Sequence, residues 1–388
     1  MLNKKKIRFH NKFDCNLCNK KNLVTLWKLP KYPLTEQFGI FEKKFPSFNQ
    51  ALQNCSNCGH VQLKTIIDQK VLYSSKFYNY KSQINDKSKN LSNLFIKFFK
   101  ENVKKQPNQI LDVGGNDGYI VKNIFPKSKK IIIDPIAKKT KNKKIVYVNK
   151  FLNEIDIQKN FGLIDCIICR HTLEHIPNPI KFINQLLQQT NKNSKYFFEV
   201  PSYKHMVLKK RFDTIIHQHI NYFDRNSIER IMSAVNCNLV KLKYLDNGPC
   251  GGSILFYFQR NKAKYRINKN KIYKKKKFFL KKKFEYIKDC KKIYNKVSRI
   301  SNLYGYGAGL MTATYFYFLN IPTKKILYIL DDDVHKNNKS YKNINIKIKF
   351  PRNLKKFISK NFIITSLENY NAIRNKILKT LPSFNILN

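Results

Sequence analysis

The sequence predicts an α/β protein in which two doubly wound, nucleotide-binding-style folds follow an N-terminal four-cysteine zinc-binding domain. Two C-x2-C pairs stand near the N-terminus, an apolar strand runs into a glycine-rich turn at residues 110–118, and the same strand, turn and helix pattern returns at residues 303–319. These observations divide the chain into a zinc-binding domain at 1–72, a central domain at 73–260, a basic connecting helix at 261–300 and a smaller Rossmann-like domain at 301–388.

The bulk composition allows this. A chain of 388 residues with 42% apolar content, 29 Phe and 22 Tyr is ample for several cores. No uninterrupted apolar run approaches the roughly 20 residues that span a bilayer. The basic start, "MLNKKKIRFHNKFDC", lacks the apolar core of a signal peptide, so a soluble, cytoplasmic protein with no membrane insertion is expected. A net charge of +52 invites a nucleic-acid reading. The basic residues, however, are overwhelmingly lysines spread through almost every segment, in company with abundant Asn, Ile, Phe and Tyr, as an A- and T-rich gene would encode. The charge predicts nonspecific adhesion to polyanions at low salt and a welcome for a phosphate-bearing substrate, rather than a specific nucleic-acid partner.

The N-terminal element rests on Cys15 and Cys18 in "DCNLC" and Cys55 and Cys58 in "NCSNCGH". Each C-x2-C closes a tight turn that presents two thiolates, and two such knuckles complete a tetrahedral site with no position left for substrate. Structural zinc is the expectation; disulfides fit poorly with a chain lacking an export signal. Cys166 and Cys169 have the same spacing inside the apolar run "LIDCIICR", where a strand would turn them to opposite faces, so core packing is expected there. Cys237, Cys250 and Cys290 are isolated.

The central element begins with "NQILDVGGNDGYIVKNIF". Gly114, Gly115 and Gly118 let the backbone bend sharply and a ligand approach closely. A second strand, "KKIIIDP", ends in Asp134, where a carboxylate can accept both ribose hydroxyls. A third strand, "KIVYVNKF", and a fourth, "LIDCIICRHTLEHIPNP", follow, and ligands bind at such carboxyl ends. The run from Asp112 through Asn116 to Gly118 resembles the first motif of class I S-adenosylmethionine-dependent methyltransferases, and Arg170-His171 to Pro177 resembles their fourth-strand motif. The resemblance implies that Asp112, Gly114, Gly115, Asn116, Gly118, Asp134, Arg170 and His171 bind this cofactor. A dehydrogenase would more often carry G-x-G-x-x-G.

The order of motifs narrows the resemblance. "PLTEQF" between the knuckles, "YSSKFYNYKS" after them, then "EVPSY", "HQHINYF", "CGGS" and a late "GYGAG" are similar, nearly end to end, to the sugar C-methyltransferases that act on nucleotide-linked deoxysugars. That family implies a class I methyltransferase core at 73–260, structural zinc, and a keto nucleotide-sugar as substrate. It also implies a C-terminal domain that contacts the nucleotide.

The tail repeats the strand, turn and helix pattern, as a second nucleotide-binding unit or a degenerate structural domain. The stretch from Asn261 to about Lys296 is dominated by Lys with Phe, Tyr and Ile between, and Phe284, Ile287, Tyr294 and Val297 suggest a helical stripe. In "NLYGYGAGLMTATYFYFLN", Gly305, Gly307 and Gly309 are read as a turn before a helix N-terminus, a phosphate site that would bind substrate. "KILYILDDD" supplies the next strand. This chain departs from the family in "KSYKNINIKI", which lacks a Pro-Gly turn, and in Glu368, where tryptophan is expected.

In "TIIHQHINYF" the two histidines would share a face of an extended strand, with Gln218 turned away. Carbon methylation beside a ketone needs a base for an acidic C–H and donors for the resulting enolate oxygen. The resemblance makes His219 the base, His217 its support, Gln218 a substrate contact, His175 an oxyanion donor, and Tyr78 and Tyr80 side chains that reach over the site. The family usually has Glu where Gln218 stands and Tyr where Ile216 stands; an amide cannot offset an imidazolium. Zinc at the histidine pair is not expected, because no further ligand lies at a matching spacing. Two rivals share the motifs: O- or N-methylation of another small molecule or RNA, and a cofactor-binding scaffold without turnover.

Overall fold

Long apolar runs bounded by glycine and asparagine form the strands, as fully buried sheets require. The computed structural model describes residues 7–35, 38–39, 47–73, 86–137, 144–261, 265, 269–341, 344, 346–352, 359–380 and 383–388. The chain divides into two compact units, one of Met1–Leu26, Gln53–Met206 and Gln218–Lys276, the other of Trp27–Leu52, Val207–His217 and Lys277–Asn388.

The first unit is built on a seven-stranded sheet. In chain order its strands are β1 (Gln109–Val113), β2 (Lys129–Ile133), β3 (Ile145–Val148), β4 (Cys166–Arg170), β5 (Lys195–Pro201), β6 (Cys237–Leu245) and β7 (Ser253–Arg260). Their spatial order is β6-β7-β5-β4-β1-β2-β3. β1 to β5 run parallel, and β7 lies antiparallel to both β5 and β6. Strand order reverses between β1 and β4, so the loops leaving these two strands open side by side at the position where such sheets take ligands.

Both faces of this sheet are covered. Cys166 packs in a layer with Phe95, Phe99 and Phe197, whereas Cys169 faces the opposite layer with Leu111, Val113 and Phe198. The C-x2-C of β4 is therefore core, as period-two geometry requires. Directly opposed rings join β5 to β7: Phe197 stacks on Tyr257 with centroids 4.6 Å apart and Tyr196 on Phe258 at 4.9 Å. Helices α1 (Asp86–Asn102), α2 (Pro179–Gln188) and α3 (Arg225–Ala234) pack alongside. α2 starts where the Asn178 side chain accepts from the Lys181 N–H, with Pro179 in the first turn, and α3 starts where Asp224 accepts from the Ser227 N–H.

Near the N-terminus a short strand, Val61–Leu63, pairs antiparallel with Asn221–Tyr222, two residues beyond His219. The second knuckle and the chain after His219 are thus tied together within the first unit. Helix α4 (Lys269–Ser298) leaves this unit.

The second unit holds a five-stranded parallel sheet of β8 (Leu303–Tyr306), β9 (Ile326–Leu330), β10 (Ile348–Lys349), β11 (Asn361–Ile364) and β12 (Asn385–Ile386), ordered β10-β9-β8-β11-β12. Helix α5 (Thr312–Leu319) follows β8, completing the expected strand, turn and helix. Gly305 does not belong to the turn: it lies inside β8, where a side chain would meet Ile329 on β9. The apolar stripe of α4 also differs from expectation. Phe284 and Ile287 are exposed, while Phe279, Tyr286, Cys290 and Val297 are buried. The spacing of seven, four and seven residues sets these four on one face, and Trp27, Phe212 and Phe318 place their rings against Tyr286. Among the described residues no helix is long and apolar enough to cross a membrane.

Candidate active site

The loop after β1 is shaped by its own neighbours. At Gly114 the backbone has φ of 78°, and a Cβ there would lie 2.0 Å from the Thr172 hydroxyl in the loop after β4. At Gly115 a Cβ would lie 2.7 Å from the Asp112 carboxylate. A side chain at Gly114 would push the two loops apart, and one at Gly115 would displace the Asp112 carboxylate. Asn116 donates its N–H to one oxygen of Asp134 at 2.9 Å, and Ile136 donates to the other at 2.9 Å. The acid at the end of β2 thereby braces the glycine loop, with Gly118 (φ 72°) closing it into a short helix.

Two buried carboxylates meet here. Burial pushes the Asp112 carboxyl up to about 8, with Asp134 adding to the effect and Arg170 opposing it. Asp134 is raised by burial too, against the two backbone donors. Such a pair wants a ligand that brings hydroxyl donors and positive charge. S-adenosylmethionine brings both, in its ribose and its ammonium group, and the residues fit it.

Arg170 and His171, expected beside the cofactor, are held by a residue to which the sequence reading gave no role. Arg170 donates Nε to the buried Glu199 of "EVPSY" and Nη1 to Ser92 at 3.0 Å. His171, at φ 50°, sets Nε2 3.3 Å from the other oxygen of Glu199 and Nδ1 3.6 Å from Glu174. Burial would lower the His171 imidazole, but the two carboxylates outweigh it and hold it at about 9. Ser253 completes the set by donating to Glu199 at 2.6 Å.

The histidine segment is not a strand. Residues 217 and 218 form a turn, which breaks the alternation that would have put both imidazoles on one face. His217 is fully buried; it accepts from Gln50 at 3.1 Å through Nδ1 and donates Nε2–H to the Tyr32 carbonyl at 3.3 Å. Burial holds it neutral, down at about 4. His219 has other company. Its ring lies 5.1 Å from that of His175, and ligating atoms of Glu174, His175 and His219 all lie within 4.8 Å of one another. His175 donates Nδ1–H to the Gln218 carbonyl at 2.8 Å, so Gln218 acts through its main chain while its side chain is buried. Tyr73 sits edge-on to His175 at 5.6 Å. Tyr78 and Tyr80 lie outside the described residues.

The four N-terminal cysteines form one cage. Sγ of Cys15 lies 3.5 Å from that of Cys58, Sγ of Cys18 lies 3.6 Å from that of Cys55, and all four fall within 4.8 Å of one another. Hydrogen bonds from Cys15 and Cys58 pull the Cys55 thiol down, while hydrogen bonds within the cage and burial push the Cys15 thiol up. Four thiolates around a point suit tetrahedral zinc. Leu17 N–H and Asn57 Nδ2 point at Cys15 and Cys18 sulfurs at 3.4 and 3.5 Å, the usual supporting donors.

In the second unit, Gly307 has φ of 96°, and Ala308 donates its N–H to Asp331 at 2.7 Å. The acid after β9 thus braces the second glycine turn as Asp134 braces the first. Lys336 reaches the Ala308 carbonyl at 2.9 Å and Asp331 at 3.1 Å, and Tyr341 donates to the Gly309 carbonyl at 2.8 Å. Glu368 pairs with Arg211 at 2.9 Å.

A methyltransferase-domain family model matches residues 84–242 and a zinc-binding-domain model matches residues 15–73. With the strand order, the braced glycine loop and the cysteine cage, these define a class I methyltransferase fold joined to a zinc-binding segment. The protein is an S-adenosylmethionine-dependent methyltransferase with a zinc-binding segment, in which Cys15, Cys18, Cys55 and Cys58 would hold the metal. Among solved structures, the plantazolicin methyltransferase BpumL with a desmethylPZN analog and SAH is 13% identical, with a TM-score of 0.37 over 46% of this chain and 87% of that one. The 1,6-didemethyltoxoflavin-N1-methyltransferase of Burkholderia thailandensis is 10% identical, with a TM-score of 0.36 over 44% and 78%. The N-methyltransferase NodS of Bradyrhizobium japonicum WM9 is 12% identical, with a TM-score of 0.36 over 46% and 99%. No curated protein matches the chain.

Proposed function

We propose that the protein methylates a carbon beside a keto group on a nucleotide-linked deoxysugar, with His219 as the base. The observation that carries this reading is the cluster of His219 with His175 and Glu174 of the loop after β4, whose Thr172 hydroxyl reaches the Val113 carbonyl at the start of the cofactor loop. Proton-handling groups thus stand beside the place where a methyl donor binds.

S-adenosylmethionine supplies the methyl group and departs as S-adenosylhomocysteine. His219 takes the proton from the carbon next to the ketone, and the C–H electron pair moves into an enolate. His175, tied through Nδ1 to the Gln218 carbonyl, turns Nε2 toward the cluster, where its protonated form donates to the enolate oxygen. The nucleophilic carbon then takes the methyl group, and the ketone re-forms. Asp112 and Asp134 hold the ammonium and ribose. Arg170 and His171, fixed by Glu199, keep the loop in place. By the resemblance, Tyr78 and Tyr80 contact the sugar; in the second unit, the turn at Gly307 and Gly309 beside Lys336 is a phosphate site. The cell interior supplies such substrates, which suits a cytoplasmic location.

Incubation with methyl-labelled S-adenosylmethionine and a panel of 4-keto sugar nucleotides, read by mass spectrometry, tests the proposal. Label on a sugar carbon, lost in His219→Asn with cofactor affinity retained, supports it. Label only on oxygen, nitrogen or RNA defeats it.

A further inference from the structure

Glu174 is almost fully buried, and one of its oxygens has no hydrogen-bond partner. The other lies 3.6 Å from His171 Nδ1 and 3.8 Å from His175 Nε2. A buried carboxylate left half-satisfied is costly unless neighbouring groups carry compensating charge. The groups facing Glu174 are three imidazoles: His171 and His175 from its own loop, and His219 from the turn after α-helical residues 203–208. His171 is already balanced by Glu199, which is also paired with Arg170. With Glu199 carrying most of the His171 charge, the Glu174 carboxylate is shared among His171, His175 and His219.

We infer that Glu174 is a positioning residue for the reaction: its carboxylate offsets the imidazolium that forms on His219 and orients His175. The inference rests on His219 being the base. It answers the absence of an acid between the histidines, because the side chain at 218 is an amide and the charge instead arrives from the loop after β4. Burial alone would raise Glu174, but the His175, His171 and His219 imidazoles hold it below the usual carboxylate range, so it is charged at the pH where His219 works.

The test uses the full zinc-loaded chain with Glu174→Gln and Glu174→Asp. Imidazole NMR titration reads His175 and His219 directly and needs no substrate. The expected result in Glu174→Gln is a downward move of the His219 midpoint by about one pH unit, partly restored in Glu174→Asp. With substrate, the acidic limb of kcat/KM moves down with it and kcat falls about 10- to 100-fold at unchanged cofactor affinity. Unmoved imidazole midpoints in a folded variant overturn the inference. So does a second equivalent of divalent metal, beyond the cysteine site, that disappears with Glu174→Gln, since the three side chains would then be ligands. Full turnover in His219→Asn defeats the base assignment itself, whatever Glu174 does to the midpoints.

Discussion

The main-chain carbonyl of Gln218 accepts the Nδ1–H of His175 at 2.8 Å, joining the loop after β4 to the turn between the two histidines. This bond fixes the His175 tautomer and leaves Nε2 for the chemistry. It needs no particular side chain at 218.

Gln218→Ala should accordingly keep His175 as the Nδ1–H tautomer, read by nitrogen-15 shifts of the imidazole. Turnover should stay within about 10-fold of the parent, a cost of at most about 1.4 kcal/mol in the barrier. Loss of the tautomer would place the anchoring in the amide side chain.

The cysteine cage predicts one zinc per chain. Cys15→Ser or Cys55→Ser should remove that equivalent, measured by plasma mass spectrometry, and lower the melting temperature of the first unit. Zinc sites of this kind contribute folding energy directly, so strong chelators should act in the same direction.

Asp112 gives a stability cost tied to function. Its folded pKa of about 8 lies above the ordinary 3.8, so the folded, cofactor-free protein holds more protons than the unfolded chain between those values. Stability from this group is therefore full at low pH and falls as pH rises through 8. Asp112→Asn should raise the melting temperature of the cofactor-free protein at pH 9, while weakening S-adenosylmethionine binding by about 10-fold or more in calorimetry.

His60 and His217 set an opposite trend on the acid side. Both are fully buried, with burial holding each near 4 against an ordinary 6.5. The unfolded chain then binds more protons within that window, and stability declines as pH falls from 6.5 toward 4. His217→Gln, which keeps polar contacts for Gln50 and the Tyr32 carbonyl, should flatten this decline in melts recorded from pH 7 to pH 4.

Local chemistry was legible in the sequence, and contacts between distant segments were not. The cage followed from cysteine spacing, and the cofactor loop from glycines between a strand and a helix. Cys166 and Cys169 were separable from the zinc ligands because β4 alternates its faces. The shared face assigned to His217 and His219 failed because a two-residue turn is invisible in "IHQHI", where every neighbour suits a strand. Glu174 and Glu199 lie inside recognisable motifs without a legible task, since only folding brings them to His219, Arg170 and His171. The stripe of α4 was obscured by its lysines: Phe284 and Ile287 matched a helical period, but Phe279 and Tyr286 matched it on the face that became buried.

Carbon methylation requires that a C–H bond beside the ketone be broken before the methyl group moves, and deuterium reports that step alone. The most direct measurement is incorporation of deuterium from heavy water into a 4-keto sugar nucleotide, with S-adenosylhomocysteine present so that no transfer occurs. With His219 as the base, deuterium washes in at one ring carbon, and His219→Asn abolishes it. A methylated product formed with no exchange at any carbon, or exchange undiminished in that variant, would contradict it.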